Sequence, residues 1–332
     1  MSTPKKVAAK IAIKTNRVKI PLVVILGPTA VGKTEVAIQL AERLSGEIIS
    51  GDSRLFYRGM DIGTAKPTKQ QQLRVPHHLI DIVNPDEIIS LAVFQEMARE
   101  TIQCVYKNHH LPFLVGGTGQ FLRSITEGWQ IPPVAPNQPL RQVLQHWASQ
   151  AGAVELHAKL ALLDPKAAKA IDPSNVRRTI RALEVILSSG KRFSEQKHKG
   201  YQTYDTLLVG LTLSRDALYQ RIDERINEMI KTGFINEVQQ LLESGYAPKL
   251  PTLTAIGYGE IIAYIQGNLT LEEAITLMKR RTRNFVRRQA NWFKLTNPEI
   301  HWFDVSTDQV ENIERLISDK FSNKFGESLQ RS

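Results

Sequence analysis

The chain has 332 residues, 42% hydrophobic and 23% charged, with a formal net charge of +10 at pH 7. That length allows one large domain with an insertion or two ordinary domains, and the balance argues against a disordered chain or a membrane protein. The basic excess favours polyanionic partners such as nucleic acid. The single cysteine, Cys104, excludes an intrachain disulfide or thiolate cluster and reads as a buried apolar residue.

Residues 1–19 are rich in Lys and Ala without a strong period, and no acid precedes Glu35. They read as a disordered basic tail, with an organelle transit peptide as the alternative. The apolar run Leu22 to Leu26 is then a strand, a Gly-rich loop follows, and Glu35 to Leu44 is a helix. A short strand from Glu47 to Ser50 leads into Gly51-Asp52-Ser53, a helix spans about Leu91 to Lys107, and a strand from Phe113 to Val115 ends in Gly116-Gly117-Thr118. Strands alternating with helices predict an α/β fold with a parallel sheet that binds ligands at its carboxyl edge. Four prolines between Ile131 and Pro139 open a stretch with little strand signal, so 131–203 is expected to be a helical insertion dividing a core of 20–130 and 204–310. Leu207 to Leu213 restores the sheet, Ser214 caps a helix, and His301 to Val305 is a candidate last strand. Residues 311–332 are expected to form a C-terminal tail.

Gly27-Pro28-Thr29-Ala30-Val31-Gly32-Lys33-Thr34 is a complete phosphate-binding loop between strand and helix. Its backbone N–H groups and helix N-terminus suit a phosphate, Lys33 supplies a cation, and Thr34 suits Mg²⁺. The aspartate that ATP-hydrolysing members need at the end of an apolar strand is missing after Val115, and Asp81 reads as a surface or capping acid. The loop therefore suits a pyrophosphate that leaves, rather than one attacked by water. Asp52 lies at the same sheet edge, where a carboxylate can act as base, and Thr118 is a candidate for holding the nucleophile or a phosphate oxygen. From Ala274 to Lys294 there are seven cations and no acid, with Trp292 nearby for stacking, which suits an RNA backbone. Arg177, Arg178 and Arg181 form a second cluster after the helix-start signal Asp172-Pro173-Ser174.

Together with Tyr57-Arg58-Gly59-Met60-Asp61-Ile62-Gly63-Thr64-Ala65-Lys66-Pro67, His77-His78-Leu79, Arg181-Ala182-Leu183-Glu184-Val185, Gly257-Tyr258 and Arg288-Gln289-Ala290-Asn291-Trp292-Phe293, these motifs resemble the tRNA dimethylallyltransferases from about Leu22 to Asp304. The resemblance implies a nucleotide-kinase-like P-loop core with a helical insertion. It implies transfer of a dimethylallyl group from dimethylallyl diphosphate to N6 of the adenosine at tRNA position 37, in tRNAs reading codons that begin with U. It also implies that the target base is turned out of the anticodon loop into a channel. Asp52 is then the base, Thr118 places the reactants, and Lys33 with Mg²⁺ on Thr34 stabilises the leaving pyrophosphate, with Arg221 and Arg225 as further contacts.

The RNA-contacting positions carried over are Asp52, Ser53, Arg54 and Leu55; Arg141 in the insertion; Arg177, Arg178, Thr179, Ile180 and Arg181; Thr254, Ala255, Ile256, Gly257, Tyr258 and Gly259; and Arg287, Arg288, Gln289, Ala290, Asn291, Trp292, Phe293 and Lys294. The sequence departs from the usual family pattern at Gly51, at Leu55-Phe56, at Gly259 and at Asn291. The expected partners are the tRNA anticodon stem-loop and dimethylallyl diphosphate. The expected state is a cytoplasmic monomer with no membrane attachment, the plastid or mitochondrion being the alternative address. The rival readings are prenylation of free adenine nucleotides, a small-molecule kinase, and a non-catalytic RNA-binding protein on a dead P-loop fold.

Overall fold

In the computed structural model, which describes residues 19–132, 134–196 and 203–325, the apolar run before the P-loop becomes the buried central strand of a six-stranded sheet. The expected basic tail lies outside the described residues, apart from Lys19. The elements of the first half are β1 (Ile20–Leu26), α1 (Lys33–Arg43), β2 (Gly46–Ser50), α2 (Lys69–Arg74), β3 (His77–His78), α3 (Leu91–Lys107), β4 (Leu111–Gly116) and α4 (Gly119–Thr126). Five helices follow: α5 (Gln138–Ala151), α6 (Ala153–Leu163), α7 (Pro165–Ala170), α8 (Val176–Ser189) and α9 (Phe193–Gln196). The chain then returns to the sheet with β5 (Tyr204–Thr212) and continues through α10 (Arg215–Lys231), α11 (Phe234–Glu243), α12 (Tyr258–Ile265), α13 (Leu271–Ala290), β6 (Ile300–Asp304) and α14 (Val310–Phe325).

The sheet is wholly parallel, in the order β3-β2-β4-β1-β5-β6. β1 lies between β4 and β5, so the chain builds one side of the sheet before insertion of α5–α9 and the other side after it. A ligand crevice is expected at that reversal of direction, and the P-loop leaves β1 there. Alternate residues of β1 feed the two faces. Val23 and Ile25 join the layer with α1, α10 and α13, whereas Leu22, Val24 and Leu26 join the layer with α3 and α4. Phe56 joins a three-ring cluster in the second layer with Phe94 and Phe121, which stack on each other at 4.4 Å between ring centres, and this accounts for an aromatic at that position.

The insertion carries its own apolar core, built on Leu144, Leu156, Leu160, Ile180 and Leu183. Its polar centre is Glu184, whose side chain is 0% exposed. Burial pushes the Glu184 carboxyl up, but hydrogen bonds from Arg141 and Arg181 and from the Asn137 N–H outweigh it and hold the carboxyl below its ordinary range.

Two expectations are corrected here. Residues 310–325 form α14 rather than a tail, and Ile313, Ile317 and Phe321 are buried in the main core beside α1. Cys104 is exposed on α3, because the buried face of that helix is occupied by Phe94, Ala98, Ile102 and Val105. None of the described helices is long and apolar enough to cross a membrane. Phe321→Ala, at a site of zero exposure, should lower the free energy of unfolding by about 3–5 kcal/mol in urea titrations. An unchanged midpoint would place α14 outside the core.

Candidate active site

Three loops leave the sheet side by side. Strand register sets Leu26 opposite Gly116 and Ser50 opposite Val115, so the P-loop, the Asp52 loop and the Thr118 loop start from one level of the carboxyl edge. The Gly51 N–H donates to the Val115 carbonyl at 2.7 Å, and a Cβ on Gly116 would lie 2.7 Å from the Gly51 carbonyl carbon, so only glycine permits this approach. The P-loop is constrained in the same way. Gly27 has φ +151° and stands where a Cβ would meet the Leu211 carbonyl at 2.6 Å, and Gly32 has φ +104°. Gly32 caps α1 without any side-chain acceptor, which leaves the first-turn N–H groups facing the loop.

The loops enclose a cavity of about 460 Å³ lined by Lys33, Thr34, Asp52, Leu55, Arg221 and Arg225, among others. The Lys33 Nζ donates to the Pro28 carbonyl at 2.7 Å, and Arg221 donates to the Val31 carbonyl at 3.2 Å. Burial pushes the Lys33 ammonium down to about 8, with the Asp52 carboxylate opposing that shift and the Arg225 guanidinium adding to it. Burial likewise lowers Arg225, against the pull of Asp52. Lys33, Arg225 and Asp52 are therefore one coupled group of charges. One carboxylate faces two crowded cations, which favours a further anion in the cavity. Asp52 is oriented by its own loop: its N–H donates to Ser50 Oγ at 3.2 Å, and its Oδ1 accepts from the Arg54 N–H at 3.1 Å.

The segment from Gly59 to Pro67 reaches the same cavity with its end, Thr64 to Pro67. The Lys66 ammonium, with 3% side-chain exposure, donates to the Tyr57 carbonyl at 2.8 Å and to the carboxylates of Asp61 and Asp81. Asp81 is thus a structural partner of Lys66 rather than a capping acid. Glu237 on α11 accepts from the Asp61, Ile62 and Gly63 N–H groups and from the Tyr258 hydroxyl at 2.6 Å. Sequence reasoning missed Glu237, which is one acid on an ordinary amphipathic helix. Lys66, between small residues and a proline, carries only a weak signal.

Thr118 does not line this cavity, but it begins α4 at the adjacent strand end, half-buried, and its hydroxyl does not cap the helix. Gln289, on the last turn of α13, accepts from the Thr29 N–H and donates to the Gly117 carbonyl, both at 3.0 Å.

The expected RNA face divides. Arg177, Arg178, Thr254, Arg287, Arg288, Ala290, Asn291, Trp292 and Lys294 are exposed, and so is Arg54; Ser53, Ile256, Gly259 and Phe293 are half-buried. Thr179, Ile180, Ala255, Tyr258 and Gln289 have buried side chains, and Gly257 is buried as well. Thr179 and Ile180 lie on the inward stripe of α8 that serves the insertion core, and Tyr258 packs edge-on to Phe234 at 5.0 Å between ring centres. Arg141 forks onto Glu184, and Arg181 donates to Glu184 and to the Val134 carbonyl, so neither presents free charge. The acid-free stretch also meets acids through space: Arg281 pairs with the buried Glu260 at 2.5 Å and Arg283 with Asp223 at 2.6 Å. Among the described residues, Lys279, Arg280, Arg287, Arg288 and Lys294 make no ion pair and remain as the cationic surface of α13 and its continuation.

Comparison with known proteins adds a consistent set of relatives. The family model described as IPP transferase matches residues 55–296, and that described as isopentenyl transferase matches residues 20–81. The chain is 52% identical to a tRNA dimethylallyltransferase of Roseiflexus sp. (strain RS-1) over 275 residues, covering 83% of this chain and 90% of the relative. It is 46% identical to a protein of the same name from Thermomicrobium roseum, covering 90% and 92%. Among solved structures, the tRNA isopentenylpyrophosphate transferase of Bacillus halodurans superposes with a TM-score of 0.69 at 42% identity, covering 92% of this chain and 98% of the other. A eukaryotic dimethylallyltransferase acting on tRNA superposes with a TM-score of 0.77 at 27% identity, covering 92% and 79%.

The charge coupling predicts how Lys33 responds to its neighbours. Asp52→Asn removes an opposing charge and should shift the Lys33 titration below about 8; Arg225→Met should shift it above the same value. NMR of isotopically methylated lysines reads both shifts, and movement in the opposite sense would refute the coupling.

Proposed function

The chain belongs to the IPP transferase family, and on that premise we propose that it transfers the dimethylallyl group of dimethylallyl diphosphate to N6 of the adenosine at tRNA position 37. The substrates are tRNAs reading codons that begin with U, and diphosphate is released. One observation carries this reading: Lys33, Arg225 and the Asp52 carboxylate share one cavity at the mouth of a P-loop. A cradle of cations and backbone N–H groups suits a departing diphosphate, and a carboxylate beside it suits a nucleophile that must lose a proton.

In the reaction, the N6–carbon bond forms as the allylic C–O bond breaks, and the bonding electron pair leaves on the diphosphate oxygen. Asp52 takes the proton lost by the amine. Lys33, Arg225 and the P-loop N–H groups stabilise the charge that grows on the leaving group. Thr118, whose hydroxyl does not cap α4, places the amine or a phosphate oxygen. Allylic diphosphates ionise readily once their charge is neutralised, so positioning and electrostatics supply the acceleration.

Thr34 lines the cavity at the head of α1, and among the described residues no cluster of three His, Cys, Asp or Glu side chains could hold a metal ion. The Thr34 hydroxyl is an oxygen donor of the kind that suits Mg²⁺, which commonly uses few protein ligands alongside phosphate oxygens and water. Bound there by the Thr34 hydroxyl, Mg²⁺ would neutralise diphosphate charge. The exposed cations Arg287, Arg288 and Lys294, with Trp292, form the RNA-facing end of α13 and the segment after it. Solved-structure similarity to an enzyme acting on tRNA supports RNA over a free nucleotide as acceptor. We take the protein to work as a cytoplasmic monomer.

Label transfer from dimethylallyl diphosphate tests this directly, with an unmodified anticodon stem-loop and AMP as competing acceptors. Label should enter the RNA, and Asp52→Ala should reduce kcat by roughly 10²–10⁴-fold. Label on AMP alone would overturn the RNA assignment. Replacing Arg287 and Arg288 together by Ala should weaken stem-loop binding and flatten its salt dependence by about 0.7 in log K per log salt for each phosphate that is no longer neutralised. An unchanged slope would remove these residues from the RNA surface.

A further inference from the structure

The last turn of α13 presents two faces. Outward it shows Arg287 and Arg288; inward, Gln289 is 8% exposed and reaches two loops distant in sequence. Its Oε1 accepts from the Thr29 N–H of the P-loop, and its Nε2 donates to the Gly117 carbonyl next to Thr118. Gln289 is thereby drawn away from the RNA surface.

Two glycines record the same contact. A Cβ on Gly117 would stand 2.4 Å from the Gln289 amide nitrogen, and a Cβ on Gly119 would stand 2.3 Å from Trp292 Cγ. The residues on either side of Thr118 are therefore bare so that α13 and the turn after it can seat against them. The Trp292 ring is held in turn beside the Arg123 guanidinium, 6.0 Å from the ring centre. Strand register brings the Thr118 loop and the P-loop to one level of the sheet edge, Thr118 makes no side-chain cap to α4, and Gln289 adds a side-chain bridge between the two loops.

We propose that Gln289 is a positioning residue for the transfer reaction: its primary amide ties the Thr118 loop to the P-loop and sets the spacing between the nucleophile side of the site and the diphosphate side. The inference builds on the reaction proposed above. A primary amide is suited to this work, because one group both accepts from an N–H and donates to a carbonyl without bringing charge to the phosphate cradle. Glutamate would lose the donor and place a negative charge beside the diphosphate. Alanine would leave one N–H and one carbonyl without partners inside the protein. The same helix turn that meets the RNA on its outer face thus braces the catalytic loops on its inner face.

Three measurements on the full chain test the brace. Hydrogen exchange reads it without any substrate: Gln289→Ala should accelerate exchange at Thr29 while leaving the amides of α14 unchanged. Unchanged exchange at Thr29 would overturn the proposal even if the wild type transferred no label, a result that by itself would count only against the proposed reaction. In the transfer assay, Gln289→Ala should lower kcat by roughly 10- to 100-fold with stem-loop affinity held within about twofold, the cost expected for a small misplacement of reacting groups. Loss of RNA affinity with kcat intact would make Gln289 an RNA contact after all. Finally, Thr118→Ala should cost much less in the Gln289→Ala background than in the wild type, because the brace acts through Thr118. Multiplying losses would refute that route. Gln289→Glu serves as the second variant: it keeps the acceptor for Thr29, so Thr29 exchange should stay slow while kcat still falls.

Discussion

The close backbone approach between Gly51 and Gly116 sets the geometry of the site. A side chain at Gly116 would drive into the Gly51 carbonyl, and the hydrogen bond from Gly51 to Val115 would break. With both residues bare, the ends of β2 and β4 lie against one another. The Asp52 loop and the Thr118 loop then emerge together beside the P-loop from β1. A parallel sheet makes such convergence possible, because all its carboxyl ends point the same way.

Around that edge the protein holds its charges in two ways. Where structure is required, cations are paired: Lys66 with Asp61 and Asp81, Arg141 and Arg181 with Glu184, Arg281 with Glu260. The buried acids among these would be costly if left alone, so each holds its arginine firmly. Where ligand is expected, the balance tips toward positive charge. Lys33 and Arg225 crowd one carboxylate, and the outer face of α13 carries Arg287 and Arg288 without acids among the described residues. Much of the basic composition therefore serves folding, and only a part of it is free for phosphate.

The segment from Gly59 to Pro67 shows why a motif can be recognised before its role is understood. Its resemblance to one family is strong, yet no residue in it suggests chemistry. In the fold its end, Thr64 to Pro67, lines the cavity, while the segment is held by Glu237 from α11 and stiffened by Lys66. The reason for its Asp61-Ile62-Gly63 turn lies in a partner 174 to 176 residues away in the chain.

By itself, the sequence determined the strands and helices whose apolar runs are long and regular, the P-loop with its glycines, and the candidate pair Asp52 and Thr118 at successive strand ends. These features are local: hydrophobic period, turn chemistry and motif spacing are carried by neighbours along the chain. The tertiary structure alone decided which cations stay free, because the acids that neutralise Arg141, Arg181, Arg281 and Arg283 lie on the same helix for one of them and across the fold for the rest. It turned the expected C-terminal tail into a core helix, since amphipathic α14 finds its apolar partner only when α1 is in place. It also moved Gln289 from the expected RNA surface to the P-loop and the loop before Thr118, a difference of one residue position on a helix that only packing can read.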